Sequence, residues 1–346
     1  MFASFIHDAP TQRIVFGFGA VAQIAEEAER LGASRALVIA TPGSGARLGA
    51  RVVEHLGVRA AGLHAQAVMH VPVGIASAGV DVARNANADA LIAVGGGSAI
   101  GLAKAIAHET GLPIIVLPTT YSGSEATAIF GLSEGDRKAV NRDPRVLPRT
   151  VIYDPELTLS LPPAATAASG MNAIAHCVEA LWVAGRTPVT SAFAAEALRL
   201  LVPQLPRAVA DGNDKAARGD CLAASWLAGA SLAVGTGLHH KLAHVLGGFG
   251  LPHAETHAII LPHVTRFNLA EAPALAARIG SAFGGKDPTD VLAAMLRRFP
   301  IPQRLRDVGF DRGKIGSVAQ QIEALGIKAP RPATADAVRA LLAEAY

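Results

Sequence analysis

Four short, continuously apolar runs dominate the N-terminal half of the chain: "RALVIA" (35–40), "ALIAVGG" (90–96), "PIIVLPT" (113–119) and "TVIYD" (150–154). None alternates polar with apolar positions, so each reads as a strand buried on both faces. Before and between them, "VAQIAEEAERL", "VGIASAGVDVARNA" and "AIGLAKAIAHE" space their apolar residues as a helix with one buried face does. Doubly buried strands alternating with one-sided helices form a parallel, doubly wound sheet with right-handed crossovers. Such sheets take their ligands at the carboxyl ends of the strands.

The alternation stops at "DPELTLSLPPAATA" (154–167), a proline-rich hinge. Beyond it no strand signal returns. The remainder reads as successive helices punctuated by glycines and by Pro188, Pro203, Pro206, Pro252, Pro262, Pro273, Pro300 and Pro302. The expected division is an α/β domain over residues 1–157 and an all-helical domain over 158–346.

Composition removes several classes of function. Hydrophobic residues make up 51% of the 346 positions and charged residues 17%, which suits a packed globular protein. The formal charge of +3 and the lack of a basic run with interleaved aromatics argue against nucleic acid as a partner. No 18-residue apolar run is free of charges and breaks, so no membrane span is expected. The N-terminus lacks the basic and apolar segments of a secretion signal, and a cytoplasmic location follows as the expectation. Cys177 and Cys221 form neither a CxxC pair nor a disulfide framework and read as buried thiols.

Two stretches carry chemistry in the first half. In "LIAVGGGSAIGLAKAIA" (91–107) a strand runs into Gly95, Gly96, Gly97 and Ser98 and then into a helix. Glycines let the backbone approach a pyrophosphate, and the free N–H groups of a helix start attract the anion. The pattern is neither GxGxxG nor a P-loop, since Lys104 lies inside the helix. "LPTTYSGSEAT" (117–127) ends the next strand with hydroxyls, among them Thr119, Thr120 and Ser122. Two polar loops at the carboxyl ends of adjacent strands suit a dinucleotide.

The second half is marked by histidines: "GLHHKLAHVLGGFGLPHAETH" (237–257) holds five of the chain's 12. His240 and His244 share a helix face, and His253 follows a glycine-rich break that can turn the chain back toward them. In "GMNAIAHC" (170–177), Asn172 lies one turn before His176. Spacing leaves His239 and His257 undecided, and leaves His7, His55, His64, His108 and His263 as surface or structural residues.

The pieces "GGGSAIGLAKAIA", "PTTYSGSEAT", "DPELTLSLPP", "GMNAIAHCVEA" and "HKLAHVLGGFGLPHAETHAIILPHV" together resemble the iron-containing (group III) alcohol dehydrogenase family over nearly the whole chain. The resemblance implies a dehydroquinate synthase-like fold: an N-terminal Rossmann-like domain, a helical C-terminal domain and an active site in the cleft between them. In metal-dependent members an Asp and three His hold one divalent ion. The His positions fall on His176, His240 and His253, and the Asp position falls on Asn172. An amide supplies no anionic charge. Lys241 occupies a position that is commonly Gly in those relatives, and its ammonium would repel a cation. The histidines therefore read as an anion pocket, and no metal is expected.

Within the family these departures are similar to those of the branch that reduces maleylacetate to 3-oxoadipate during breakdown of aromatic compounds. That resemblance implies a small dianionic oxo-acid substrate bound by His176, Asn172 and His239. It implies catalysis by His240, His253 and Lys241 as N–H donors to an enolate, with His244 delivering the proton. The implied cofactor contacts are Gly95, Gly96, Gly97, Ser98, Thr119, Thr120, Ser122, Lys138 and Thr41. Thr41 stands where NAD-specific relatives often place an Asp, so either NADH or NADPH is expected. A homodimer is expected from the family. The competing readings are a metal-dependent alcohol or polyol dehydrogenase, a lyase of the dehydroquinate synthase type, and a non-catalytic nucleotide-binding protein.

Overall fold

The computed structural model describes Phe5, His7 and residues 11–134 and 137–346. In the α/β unit the chain runs through β1 (Arg13–Phe16), α1 (Ile24–Arg30), β2 (Ala36–Ala40), α2 (Ser44–Leu56), β3 (Ala60–His64) and α3 (Val73–Asn85). It continues through β4 (Ala90–Gly95), α4 (Gly97–Thr110), β5 (Ile114–Pro118), a hairpin of β6 (Ile129–Glu134) and β7 (Arg137–Arg142), and β8 (Thr150–Tyr153). Six strands form one sheet in the order β1-β8-β5-β4-β2-β3, every pair parallel. The Rossmann-like expectation holds.

The four apolar runs are the four inner strands, β2, β4, β5 and β8, and β2, β4 and β5 are buried at every residue. Their side chains alternate between two cores. Val38, Ile92, Val94, Ile115 and Leu117 pack with Ile24, Ala28, Val52 and Leu56 of α1 and α2. Leu37, Ile39, Leu91 and Ala93 are equally buried and face the other way, where α4 packs on β4, β2 and β5. Sequence patterning missed β1 and β3. Both are edge strands, only partly buried, and so lack a continuous apolar run.

The helical unit begins at Pro162, and the α/β unit runs on to Leu161, four residues past the expected division. Leu157 packs in the core of the sheet with Ile152, and the turn it belongs to continues through Leu159 and Leu161, whose N–H groups donate to the carbonyls of Glu156 and Thr158. The helices that follow are α5 (Pro163–Trp182), α6 (Pro188–Ala210), α7 (Lys215–Ser231), α8 (Leu238–Gly247) and α9 (His253–Leu269). Then come α10 (Pro273–Ala282), α11 (Pro288–Arg298), α12 (Ile315–Ala324) and α13 (Ala335–Ala345).

α5 is the central helix of this unit, buried from Thr166 to Trp182 and packed by α6, α7 and α9. Gly170 lets α6 close on it, since Leu205 fills the space a side chain there would need. Pro203, Pro206 and Pro262, read from sequence as breaks, lie inside α6 and α9. An internal proline loses one helix hydrogen bond and costs about 3 kcal/mol. Around them Leu201, Leu205, Leu261 and Val264 are fully buried, and that packing keeps the helices continuous. Among the described residues no single helix is long and apolar enough to cross a membrane.

Candidate active site

The structure gathers the candidate residues in two groups, one in each unit. In the α/β unit, β4 ends at Gly95 in register with Pro118 of β5, and the Thr119 N–H donates to the Gly95 carbonyl at 3.1 Å. The glycine turn and the hydroxyl run therefore begin side by side at the carboxyl edge of the sheet. Each glycine has its own reason. Gly95 adopts φ +146°, a conformation side chains rarely take. At Gly96 a β-carbon would lie 2.8 Å from the Thr120 side chain. At Gly97 a β-carbon would meet nothing within 4 Å, so the space over the start of α4 is open. No side chain caps α4, and its first N–H groups are left for a ligand. These residues fit a nucleotide pyrophosphate.

The second loop is held from below. Lys104, fully buried on α4, donates through Nζ to the carbonyls of Ser124, Thr127 and Ile129 at 2.6, 2.7 and 2.9 Å. Burial pulls its pKa down to about 7, and nearby Glu125 opposes that shift. Glu125, also fully buried, accepts from the Tyr153 hydroxyl at 2.9 Å, and burial raises its pKa to about 7. Thr41 follows β2 directly at the same edge and packs over Gly45 in the first turn of α2. Ser98, Thr119, Thr120 and Ser122 are all part-exposed. Lys138 falls on β7, and its side chain lies outside the described residues.

In the helical unit the structure gathers six imidazoles from three helices: His176 on α5, His239, His240 and His244 on α8, and His253 and His257 on α9. The glycine-rich turn does bring α9 back. His244 and His253 stack at 6.0 Å between ring centroids, and His253 lies 4.4 Å from His257. His240 is the hub, 4.9 Å from His176, 4.8 Å from His257, 5.2 Å from His239 and 6.4 Å from His244. His176, His239, His240 and His257 are buried, and His244 and His253 are half-buried. Asn172 is buried one turn before His176, as its spacing implies.

Burial, and after it the neighbouring imidazoles, lowers the pKa of each buried ring. His239 falls to about 4 and His240 to about 3. His176 and His257 lie well below the ordinary histidine value. Lys241, between His240 and His244 in sequence, is exposed, and its charge adds to the lowering at His240.

Sequence reasoning passed over Glu179 and left His257 undecided. Glu179 lies on α5 one turn after His176 and is fully buried. It caps α8, which has no cap of its own: it accepts from the N–H groups of Gly237 at 2.9 Å and His239 at 2.7 Å. Its Oε2 is also 2.6 Å from Nδ1 of His240. Burial raises its pKa, while the His239 ring and the backbone donors oppose the rise. His239 Nε2 lies 3.1 Å from the His257 carbonyl, which ties α8 to α9. A signal for Glu179 was present: a lone carboxylate in the apolar run "HCVEALW" must find partners if that run is buried.

The groups here that could face a divalent metal are neutral ones. Asn172 offers an amide where metal-dependent members of the family place an Asp, and the buried carboxylate of Glu179 already serves α8 and His240. What remains is neutral nitrogen. His239, His240 and His257 have potential ligand atoms within 4.8 Å of one another, and three-histidine sites do hold zinc.

Residues 10–155 match the family described as iron-containing alcohol dehydrogenase, and residues 166–346 match the C-terminal part of the Fe-containing alcohol dehydrogenase family. The chain is 47% identical over 339 residues to maleylacetate reductase 2 of Cupriavidus pinatubonensis, covering 96% of this chain and 94% of that one. It is 44% identical over 346 residues to the maleylacetate reductase of Sphingobium indicum, covering 99% and 97% of the two chains. Its fold matches the crystal structure of maleylacetate reductase from Agrobacterium tumefaciens with a TM-score of 0.94 at 42% identity, covering 100% of this chain and 99% of that one.

Proposed function

The chain belongs to the iron-containing alcohol dehydrogenase family, whose enzymes use NAD(P)H, and on that premise we propose that it reduces maleylacetate to 3-oxoadipate. The observation that carries this reading is the cluster of six imidazoles with no free carboxylate among them. It accompanies full-length likeness to maleylacetate reductases at 44% and 47% identity. A neutral, hydrogen-bonding, partly buried group suits a substrate with two carboxylates and a ketone.

Gly95, Gly96, Gly97 and Ser98 would hold the pyrophosphate, with Thr119, Thr120 and Ser122 on the adjacent loop and Thr41 beside the ribose. Thr41 neither repels a 2′-phosphate nor pairs with a 2′-hydroxyl as a carboxylate does, so either cofactor is accepted. When bound, the reduced nicotinamide supplies a hydride to the alkene carbon β to the ketone, and negative charge develops on the ketone oxygen. His253, with the charge of Lys241, stabilises that oxygen. One positioned donor of this kind lowers a barrier by about 3–4 kcal/mol. His244, half-buried and able to exchange protons, delivers one to the enolate carbon. His176 and Asn172 bind a carboxylate. His239, engaged with the His257 carbonyl, holds α9 in place. The donor set supports turnover without a metal, and no step here needs one.

The test is oxidation of NADH and of NADPH with maleylacetate beside simple aldehydes and ketones. Maleylacetate should be consumed at least tenfold more efficiently, a difference of about 1.4 kcal/mol. Equal or better turnover of a simple alcohol–ketone pair would return the site to the dehydrogenase reading.

A further inference from the structure

Glu179 contributes more than a helix cap. Its Oε1 accepts the His239 N–H at 2.7 Å, and its Oε2 accepts the Gly237 N–H at 2.9 Å and the His240 N–H at 3.4 Å. Oε2 already accepts two backbone N–H groups, which occupy its lone pairs and leave no place on it for a proton to give to His240. The 2.6 Å contact between Oε2 and Nδ1 of His240 therefore carries its hydrogen on Nδ1. A neutral imidazole has only one N–H. Nε2 of His240 is then left with a lone pair, at a buried position with no hydrogen-bond partner in the cluster.

We infer that Glu179 is a positioning residue that fixes His240 in its Nδ1–H form, so that the hub of the histidine cluster accepts a hydrogen bond instead of donating one. The inference rests on the reading of that cluster as the active site and deepens it. His240 cannot supply an N–H to the developing enolate while Glu179 holds its proton. Donation to that oxygen falls to His253 and Lys241. A neighbouring ring that donates to Nε2 of His240 must turn its own N–H inward. The edge-on His257, 4.8 Å away, is the ring oriented to do so.

The experiment labels the histidines of the full-length enzyme with nitrogen-15 and reads the protonation of each ring nitrogen by NMR near neutral pH. The His240 signals are identified by their loss in His240→Asn. Expected are a protonated Nδ1 and a bare Nε2. A bare Nδ1 with a protonated Nε2 would mean that Glu179 is the donor, and would overturn the inference. Glu179→Gln offers one acceptor oxygen to the same donors, so His240 should lose its single form. Removing the charge from this hydrogen bond should cost on the order of 10–100-fold in activity. That loss should appear in kcat, with NADH affinity unchanged. A variant with a lower melting temperature and full kcat would reduce Glu179 to a helix cap. If that variant does not fold, the spectrum of the unaltered enzyme decides alone. Full maleylacetate turnover by His240→Asn is a different failure, and would remove the cluster from catalysis altogether.

Discussion

The side chain of Thr120 occupies the space over Gly96: a β-carbon added to Gly96 would come within 2.8 Å of both its Cγ2 and its Oγ1. The glycine turn and the hydroxyl loop are thus packed on each other before any ligand arrives. Gly96→Ala should push Thr120 away. Overpacking at such a contact costs about 1–3 kcal/mol. A lower melting temperature together with weaker NADH binding is expected, and a variant unchanged in both would show that the two loops are independent.

Gly97 is the contrasting case, with open space where its side chain would be. Gly97→Val should leave the melting temperature unaltered. It should weaken NADH binding at least tenfold, about 1.4 kcal/mol, because the added side chain takes the room of the pyrophosphate. Fluorescence titration measures this directly, and native affinity in the variant removes the cradle from cofactor binding.

Thr41→Asp should turn a tolerant site into a selective one. The new carboxylate repels a 2′-phosphate and accepts from a 2′-hydroxyl. The kcat/KM for NADPH should fall while that for NADH survives. If the ratio of the two does not move, Thr41 is not beside the ribose.

Prolonged chelation should leave maleylacetate reduction intact, and added zinc or ferrous iron should not stimulate it. The double change Asn172→Asp plus Lys241→Gly supplies an anionic ligand and removes a repelling ammonium. Its affinity for divalent metal should rise, measured by calorimetry, as its affinity for maleylacetate falls. Activity lost on chelation and restored by one equivalent of metal would falsify the metal-free reading.

The buried histidines should make the enzyme sensitive to acid. His239 and His240 have folded pKa values of about 4 and 3, below the ordinary 6.5. Between those values the unfolded chain binds protons that the native state does not, so unfolding takes up protons. The stability these rings contribute is fully present above pH 6.5 and is lost as pH falls toward their folded values. The melting temperature should drop steadily across that window, and His257→Asn, which removes another depressed ring, should shallow the slope. A flat profile would mean that the rings are already charged in the native state.

The fold was legible wherever burial is complete. β2, β4 and β5 show as unbroken apolar runs because both of their faces are covered, whereas β1 and β3 present an edge to solvent and blend into the loops. In the site, His176, His240, His244 and His253 could be placed by helical spacing and one glycine turn. Glu179 could not, because three of its four contacts are backbone N–H groups about 60 residues away, and backbone leaves no trace in a sequence. The role of His239 was hidden for the same reason: its ring is hydrogen-bonded to a main-chain partner, the carbonyl of His257.

Lys104 grips the Ser124–Ile129 segment chiefly by main-chain oxygens. A segment held that way keeps its shape without prescribing its own residues. Substitutions at the part-exposed Ala128 and Ile129 should be tolerated far better than any replacement of Lys104. Variation aimed at reshaping this segment can therefore be concentrated on those positions, with the lysine left untouched as a fixed anchor.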